Sequence, residues 1–155
     1  MEAEDGDSPA EMALRWLRSL ANGSVEGYEF EVRAAKGLQI LEVRKGFIRC
    51  SFLVSNLVLD KEGNWDRGAM ATLMDHIGAT TACTLNAIKA STEFSISYIS
   101  TAKINEEAEI EAKAVGEKGN MTLVMVKVRS KATKGLIALG KLWLGPSLRA
   151  PTSKL

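Results

Sequence analysis

A chain of 155 residues that is 46% hydrophobic and 25% charged has the length and apolar content of one globular domain with a real core. Its 20 basic and 19 acidic side chains leave a formal charge of +1, a balance that gives no reason to expect nucleic acid or an anionic membrane as partner. Cys50 and Cys83 form no CxxC and His76 is the sole histidine, so neither a disulfide framework nor a clustered His/Cys metal site is supported, and both thiols read as reduced core residues.

The acidic start MEAEDGDSP lacks the basic flank and apolar core of a signal peptide, and no apolar run approaches the roughly 20 residues of a membrane span. A soluble, non-secreted protein is expected. Ser8, Pro9 and Glu11 form a capping box with proline at the first helical position, and Ala13, Trp16, Leu17 and Leu20 then share one face. This predicts a short amphipathic helix to about Leu20 within an N-terminal extension, residues 1–25, ahead of a main domain over 26–146 and a tail over 147–155. Past Asn22-Gly23, residues 38–44 and 47–54 read as two strands around Lys45-Gly46, a hairpin.

The turn-rich NLVLDKEGNWD follows and ends at Asp66, a plausible helix N-cap. From Arg67, the residues Met70, Leu73, Met74, Ile77, Thr81 and Leu85 recur at helical spacing, while Ala69, Ala71, Gly78, Ala79 and Ala82 fill much of the rest. Such a helix has to be enclosed, and the acid in its middle, Asp75, is costly to bury unless it is satisfied or functional. Residues 91–101, 108–115, 121–130 and 136–144 are strand-like and offer the enclosure. Phe94, Ile96 and Tyr98 alternate with Ser95 and Ser97, and Ala108, Ile110, Ala112 and Ala114 alternate with Glu109, Glu111 and Lys113, leaving one sheet face wet. The connections at 116–120 and 133–135 are short and contain glycine, which favours antiparallel neighbours. The last three residues, Ser153, Lys154 and Leu155, match the address read by the peroxisomal import receptor, so the peroxisome is the expected location and that receptor an expected partner.

This order of strand hairpin, one buried helix and a run of antiparallel strands is α+β and is that of the hotdog fold, an antiparallel sheet wrapped around a central helix. Gly68, Ala71, Thr72, Leu73 and Asp75, with Ser91 and the later SISYISTAK, resemble the small acyl-coenzyme A thioesterases of the hotdog superfamily, related to the phenylacetate-pathway enzymes. The likeness covers roughly residues 38–144. It implies hydrolysis of acyl-CoA to a carboxylic acid and coenzyme A, in a homodimer or homotetramer with active sites between protomers. No metal or other cofactor is implied, since coenzyme A is part of the substrate.

The resemblance gives Asp75 the task of orienting and activating the water that attacks the thioester carbonyl, and Ser91 that of positioning the same water. It puts an oxyanion hole at the helix start, where similar enzymes read His-Gly-Gly and this chain reads Asp66-Arg67-Gly68. Only the last glycine matches. The Arg67 amide can still donate, while its side chain could crowd the pocket, pair with Asp66 or reach a phosphate. An N-capping Asp66 would also set negative charge where an oxyanion should form. The family's helper asparagine corresponds at the simplest spacing to Asp60, with Asn56 and Asn64 nearby. Tyr98, Ser100 and Lys103, with Lys118, Gly119 and Asn120 in the later turn, stand at positions implied to meet the substrate and its coenzyme A.

Residue by residue, other readings stay open. Asp75 could be satisfied by a backbone amide or a subunit neighbour, Ser91 could face solvent at a strand start, and the fold could bind acyl-CoA without turning it over. A hotdog dehydratase is disfavoured because the histidine at the helix start is absent. His76 points about 100° from Asp75 around the helix and is better suited to a structural or interface role. Met70, Met74, Met121 and Met125 are core filler or acyl-tunnel lining, and Trp65 lines the pocket or anchors its loop.

Overall fold

The capping box forms as its residues dictate. In the computed structural model, which describes residues 6–147, α1 (Pro9–Asn22) begins at Ser8, whose hydroxyl accepts the Glu11 amide while the Glu11 carboxylate accepts the Ser8 amide. Two of the helix's orphan donors are thereby satisfied. The helix runs two residues past Leu20 and stops at Gly23, which takes a left-handed φ of 73°. Leu17 and Leu20 are fully enclosed in the core, and Trp16 stays at the surface, edge-on to the Tyr28 ring.

A second helix, α2 (Glu29–Ala35), occupies a stretch to which the sequence reading assigned no element. Seven residues are too few for a helical period to show, and its N-cap, Tyr28, makes no side-chain cap bond. Its Ala34 and Ala35 are buried.

The sheet has six antiparallel strands in the order β1-β2-β4-β5-β6-β3. β1 (Gln39–Arg44) and β2 (Phe47–Leu53) form the expected hairpin, with Gly46 at a φ of 75°. β3 (Lys89–Tyr98), β4 (Glu107–Lys118), β5 (Met121–Ser130) and β6 (Leu136–Pro146) follow. β3 ends at Tyr98 and not at Thr101, because the Ile99 and Ser100 amides both turn onto the Ile137 carbonyl. β4 runs on to Lys118 through a bulge between Ala114 and Gly116, so its connection to β5 narrows to Gly119-Asn120. β1 and β3 are the sheet's two edges.

Between β2 and β3 lies α3 (Arg67–Cys83), packed on one face of the sheet, with α1 and α2 also packed on it. Met70, Leu73, Met74 and Ile77 are enclosed against Ile110, Val126 and Leu142. Each such side chain contributes on the order of 2 kcal/mol by leaving water. The closest approach is at Gly78, where a Cβ would lie 2.7 Å from Leu142 Cδ2 and 3.3 Å from Val126 Cγ2. The helix ends before Leu85, and the Thr84 hydroxyl joins its last turn to the first hairpin by accepting the Gly46 amide at 2.7 Å.

The expected alternation holds, with Val124, Val126 and Val128 buried and Lys127 and Arg129 exposed. The opposite face is not uniformly wet, since Leu123, Met125, Leu139 and Trp143 are half-buried there. Only Met70 and Met74 of the four methionines belong to the buried core, while Met121 is half-buried and lies close to Gly145. Among the described residues, no helix is long and apolar enough to cross a membrane.

Candidate active site

The loop before α3 is shaped by short-range hydrogen bonds. Asp60 Oδ1 accepts the amides of Glu62 and Asn64 at 2.9 and 3.0 Å, and the Asp60 amide donates to the Asn64 carbonyl at 2.8 Å. This is an Asx-type turn, so Asp60 holds the loop in shape. Trp65 is 2% exposed, its ring stacked on Phe52 at 5.0 Å, and its amide donates to the Ala102 carbonyl at 2.7 Å. Trp65 therefore anchors the loop. The next amide, of Asp66, donates to the Val58 carbonyl at 2.7 Å. With its backbone clamped on both sides, the chain enters α3 in a fixed direction.

Asp66 caps the helix, its Oδ2 accepting the Ala69 amide at 3.0 Å. The Met70 amide goes to the Asp66 carbonyl, which leaves the Arg67 and Gly68 amides without a hydrogen-bond acceptor among the described residues. Arg67 does not pair with Asp66. Its guanidinium lies over the Tyr98 ring, 5.0 Å from the centroid, while the Tyr98 hydroxyl donates to the Arg67 carbonyl at 3.0 Å. Burial pushes the Tyr98 phenol up, against the opposing pull of Arg67 and with help from Asp66, so it keeps its proton and donates.

Two turns further along α3, the Ser91 hydroxyl donates to Asp75 Oδ1 at 2.5 Å. Asp75 is half-exposed and Ser91 exposed, so the pair faces solvent rather than the core. Among the described residues, the hydrogen-bond partner of Asp75 is this hydroxyl and not a backbone amide. The two residues lie 16 positions apart, and only the packing of α3 beside β3 brings them together.

The other residues singled out in the sequence fall into two groups. Asn64 and Lys103 meet in an isolated β-bridge, and the Ser100 hydroxyl donates to the Leu136 carbonyl at 2.9 Å, all toward the Tyr98 end of β3. Lys118 ends β4, and Gly119 and Asn120 form the β4–β5 connection near the start of β3, where Lys89 donates from Nζ to the Asn120 carbonyl at 2.6 Å. Lys89 was missed in sequence, because one lysine at a strand start carries no signal. The Arg67–Tyr98 and Ser91–Asp75 contacts had none either, since each joins residues distant in the chain.

Burial holds the His76 imidazole below its ordinary range, partly offset by Asp75 and by Glu31 of α2. Burial also pushes the Cys50 thiol up to about 12, which makes it inert as a nucleophile.

No protein-family model matches the chain, and no curated protein matches it in sequence. Solved structures do match. Zebrafish thioesterase superfamily member 2 is 24% identical, with 86% of this chain and 94% of that one covered and a TM-score of 0.77. Mouse thioesterase superfamily member 2 is 25% identical, with 85% and 98% covered and a TM-score of 0.71. The chain has the hotdog fold. A hypothetical thioesterase protein from Streptococcus pneumoniae, solved with coenzyme A, shares that fold at 19% identity, a TM-score of 0.67, and 70% and 86% covered. Two further structures of the Streptococcus pneumoniae protein replace an aspartate and a threonine by alanine, at positions 16 apart.

The His76 environment makes a prediction with a definite sign. Its folded pKa lies below the unfolded value of 6.5, so its neutral form favours folding, and this contribution is present above 6.5 and lost as pH falls through the folded value. Wild type should therefore lose more stability than His76→Gln between about pH 7.5 and about pH 5. Urea midpoints at the two pH values read this directly, and equal declines in the two proteins would refute it.

Proposed function

We propose that this chain is an acyl-CoA thioesterase, hydrolysing the thioester to a free carboxylic acid and coenzyme A. The observation that carries the reading is the 2.5 Å Ser91–Asp75 hydrogen bond on the open flank of α3, below a helix start with two free amides. With Ser91 on Oδ1, the second carboxylate oxygen of Asp75 accepts a proton from water as that water adds to the thioester carbonyl. The carbonyl oxygen gains negative charge and takes hydrogen bonds from the Arg67 and Gly68 amides at the helix start of a neighbouring protomer, since in one chain Asp75 lies eight residues along α3 from that start. One such donor is worth about 3 kcal/mol in the transition state. Collapse of the tetrahedral intermediate breaks the carbon–sulfur bond, and the proton held by Asp75 returns to the departing thiolate. The Asp66 carboxylate is engaged by Ala69, which tempers its charge beside the oxyanion.

The fold shared with a coenzyme A-bound hypothetical thioesterase supports coenzyme A as the carrier. The Lys89, Lys118 and Asn120 group at the Ser91 end of β3 offers cationic and amide contacts for its phosphates or pantetheine, and Asn64, Ser100 and Lys103 lie at the other end. Replacing the carboxylate while keeping its size tests the mechanism. Asp75→Asn should lower kcat by roughly 100-fold or more, followed by thiol release over a panel of acyl-CoA substrates, with the melting temperature held. Wild-type turnover in that variant would remove Asp75 from the mechanism.

The site belongs, in this proposal, between protomers of a homodimer or homotetramer. Two sheet edges, β1 and β3, stay unpaired in one chain, and the flank of α3 bearing Gly68, Ala71, Thr72 and Asp75 is open to a neighbour. Light scattering at micromolar concentration should report at least a dimer, and a monodisperse monomer would overturn the assembly.

The proposed location is the peroxisome, for a chain that ends at Leu155; Ser153, Lys154 and Leu155 lie outside the described residues. A fluorescent protein fused at the N-terminus should enter peroxisomes and stay in the cytosol once those three residues are deleted. Import that survives the deletion would show that the address lies elsewhere.

A further inference from the structure

Arg67 is the departure at the helix start for which the proposed hydrolysis needs only the backbone. Its amide serves as an oxyanion donor whatever the side chain, so the guanidinium is a separate feature with its own geometry. It makes no ion pair or hydrogen bond among the described residues, although an aspartate precedes it, because Asp66 is held in the cap by the Ala69 amide. It is nevertheless not adrift. The guanidinium lies 5.0 Å from the Tyr98 ring centroid, and the Tyr98 hydroxyl grips the carbonyl of the same arginine at 3.0 Å. One tyrosine thus positions both the backbone and the side chain of Arg67. The contact with the ring uses none of the guanidinium's hydrogen-bonding capacity, so its N–H groups remain available to a planar, charged acceptor.

Resting on the thioesterase reading above, we infer that Arg67 is a specificity residue that binds a carboxylate at the far end of the acyl group, making the substrates thioesters of dicarboxylic acids. Distance selects this source of negative charge over the coenzyme A phosphates. The thioester carbonyl sits at the Arg67 amide, so the guanidinium lies one arginine side chain away from the reacting carbon. A short acyl chain spans that gap, whereas an extended pantetheine arm carries the pyrophosphate much farther off. Acyl groups ending in a methyl would leave the guanidinium unpaired and gain nothing from it.

The test separates this inference from the hydrolysis on which it rests by reading binding and turnover independently. Non-hydrolysable thioether analogues of hexanoyl-CoA and adipyl-CoA, equal in chain length, are titrated calorimetrically into the wild type, Arg67→Gln and Arg67→Lys. Wild type should bind the adipyl analogue at least about 10-fold more tightly than the hexanoyl one. That preference should vanish in Arg67→Gln and survive only in part in Arg67→Lys, which keeps the charge but not the planar fork. Equal wild-type affinities, or a preference that persists in Arg67→Gln, would overturn the inference. So would equal weakening of both analogues in Arg67→Gln with no wild-type preference, the outcome expected if the side chain met a coenzyme A phosphate. Hydrolysis of hexanoyl-CoA and adipyl-CoA is followed in parallel. Turnover without an adipyl preference leaves the thioesterase reading standing and refutes the inference, whereas a binding preference without turnover refutes the hydrolysis and leaves Arg67 as a residue that binds the terminal carboxylate.

Discussion

The packing of α3 against the sheet is the constraint on which the rest of the molecule depends. A helix this apolar is stable only when enclosed, and the enclosure demands a sheet that can come close, as it does where Gly78 meets Leu142 and Val126. A side chain at that position would push the helix off the sheet. Because the helix is held so closely, its exposed flank is held as well, and the few polar groups on that flank acquire fixed positions. The candidate site is therefore a by-product of core packing: the flank of α3 that carries Asp75 is the one turned toward the sheet's β3 edge and solvent, not toward the buried core.

Backbone hydrogen bonds do for the start of α3 what packing does for its middle. Trp65 and Asp66 are tied to Ala102 and Val58, and Asp66 then caps the helix. Capping satisfies the Ala69 amide and leaves the two before it free, so a single aspartate both stabilises the helix, typically by about 1 kcal/mol, and defines which donors remain available. A histidine and a glycine are thus not the only way to open a helix with usable amides. What the departure changes is the electrostatics, and Arg67, pinned on Tyr98, returns positive charge next to the negative charge that Asp66 brings.

α3 and β3 are joined by two polar contacts, Arg67 with Tyr98 and Asp75 with Ser91. Both ends of β3 thereby take part in the site although β3 is a sheet edge, and an edge with unpaired backbone groups is where a second chain would be accommodated most readily. Helix flank and open edge lie side by side, so the geometry that arranges the polar groups also exposes them to a neighbour.

Much of this was legible in the sequence, for identifiable reasons. Capping signals are local, which is why Ser8-Pro9-Glu11 and Asp66 marked the starts of α1 and α3 correctly. Period-2 alternation and Lys45-Gly46 identified the strands and the first hairpin, and the small and apolar residues around Asp75 showed that a central helix must be enclosed. Strand ends were less legible, since the ends of β3 and β4 depend on which amide finds a partner across the sheet and on a bulge. α2 escaped because seven residues carry too little periodicity. The chain by itself determined the elements and the chemical identities at the helix start. Tertiary structure alone decided that Ser91 reaches Asp75, that Arg67 turns to Tyr98 and not to Asp66, and that Asp60 and Trp65 shape the loop, because each is a contact or a choice among contacts that local sequence does not encode.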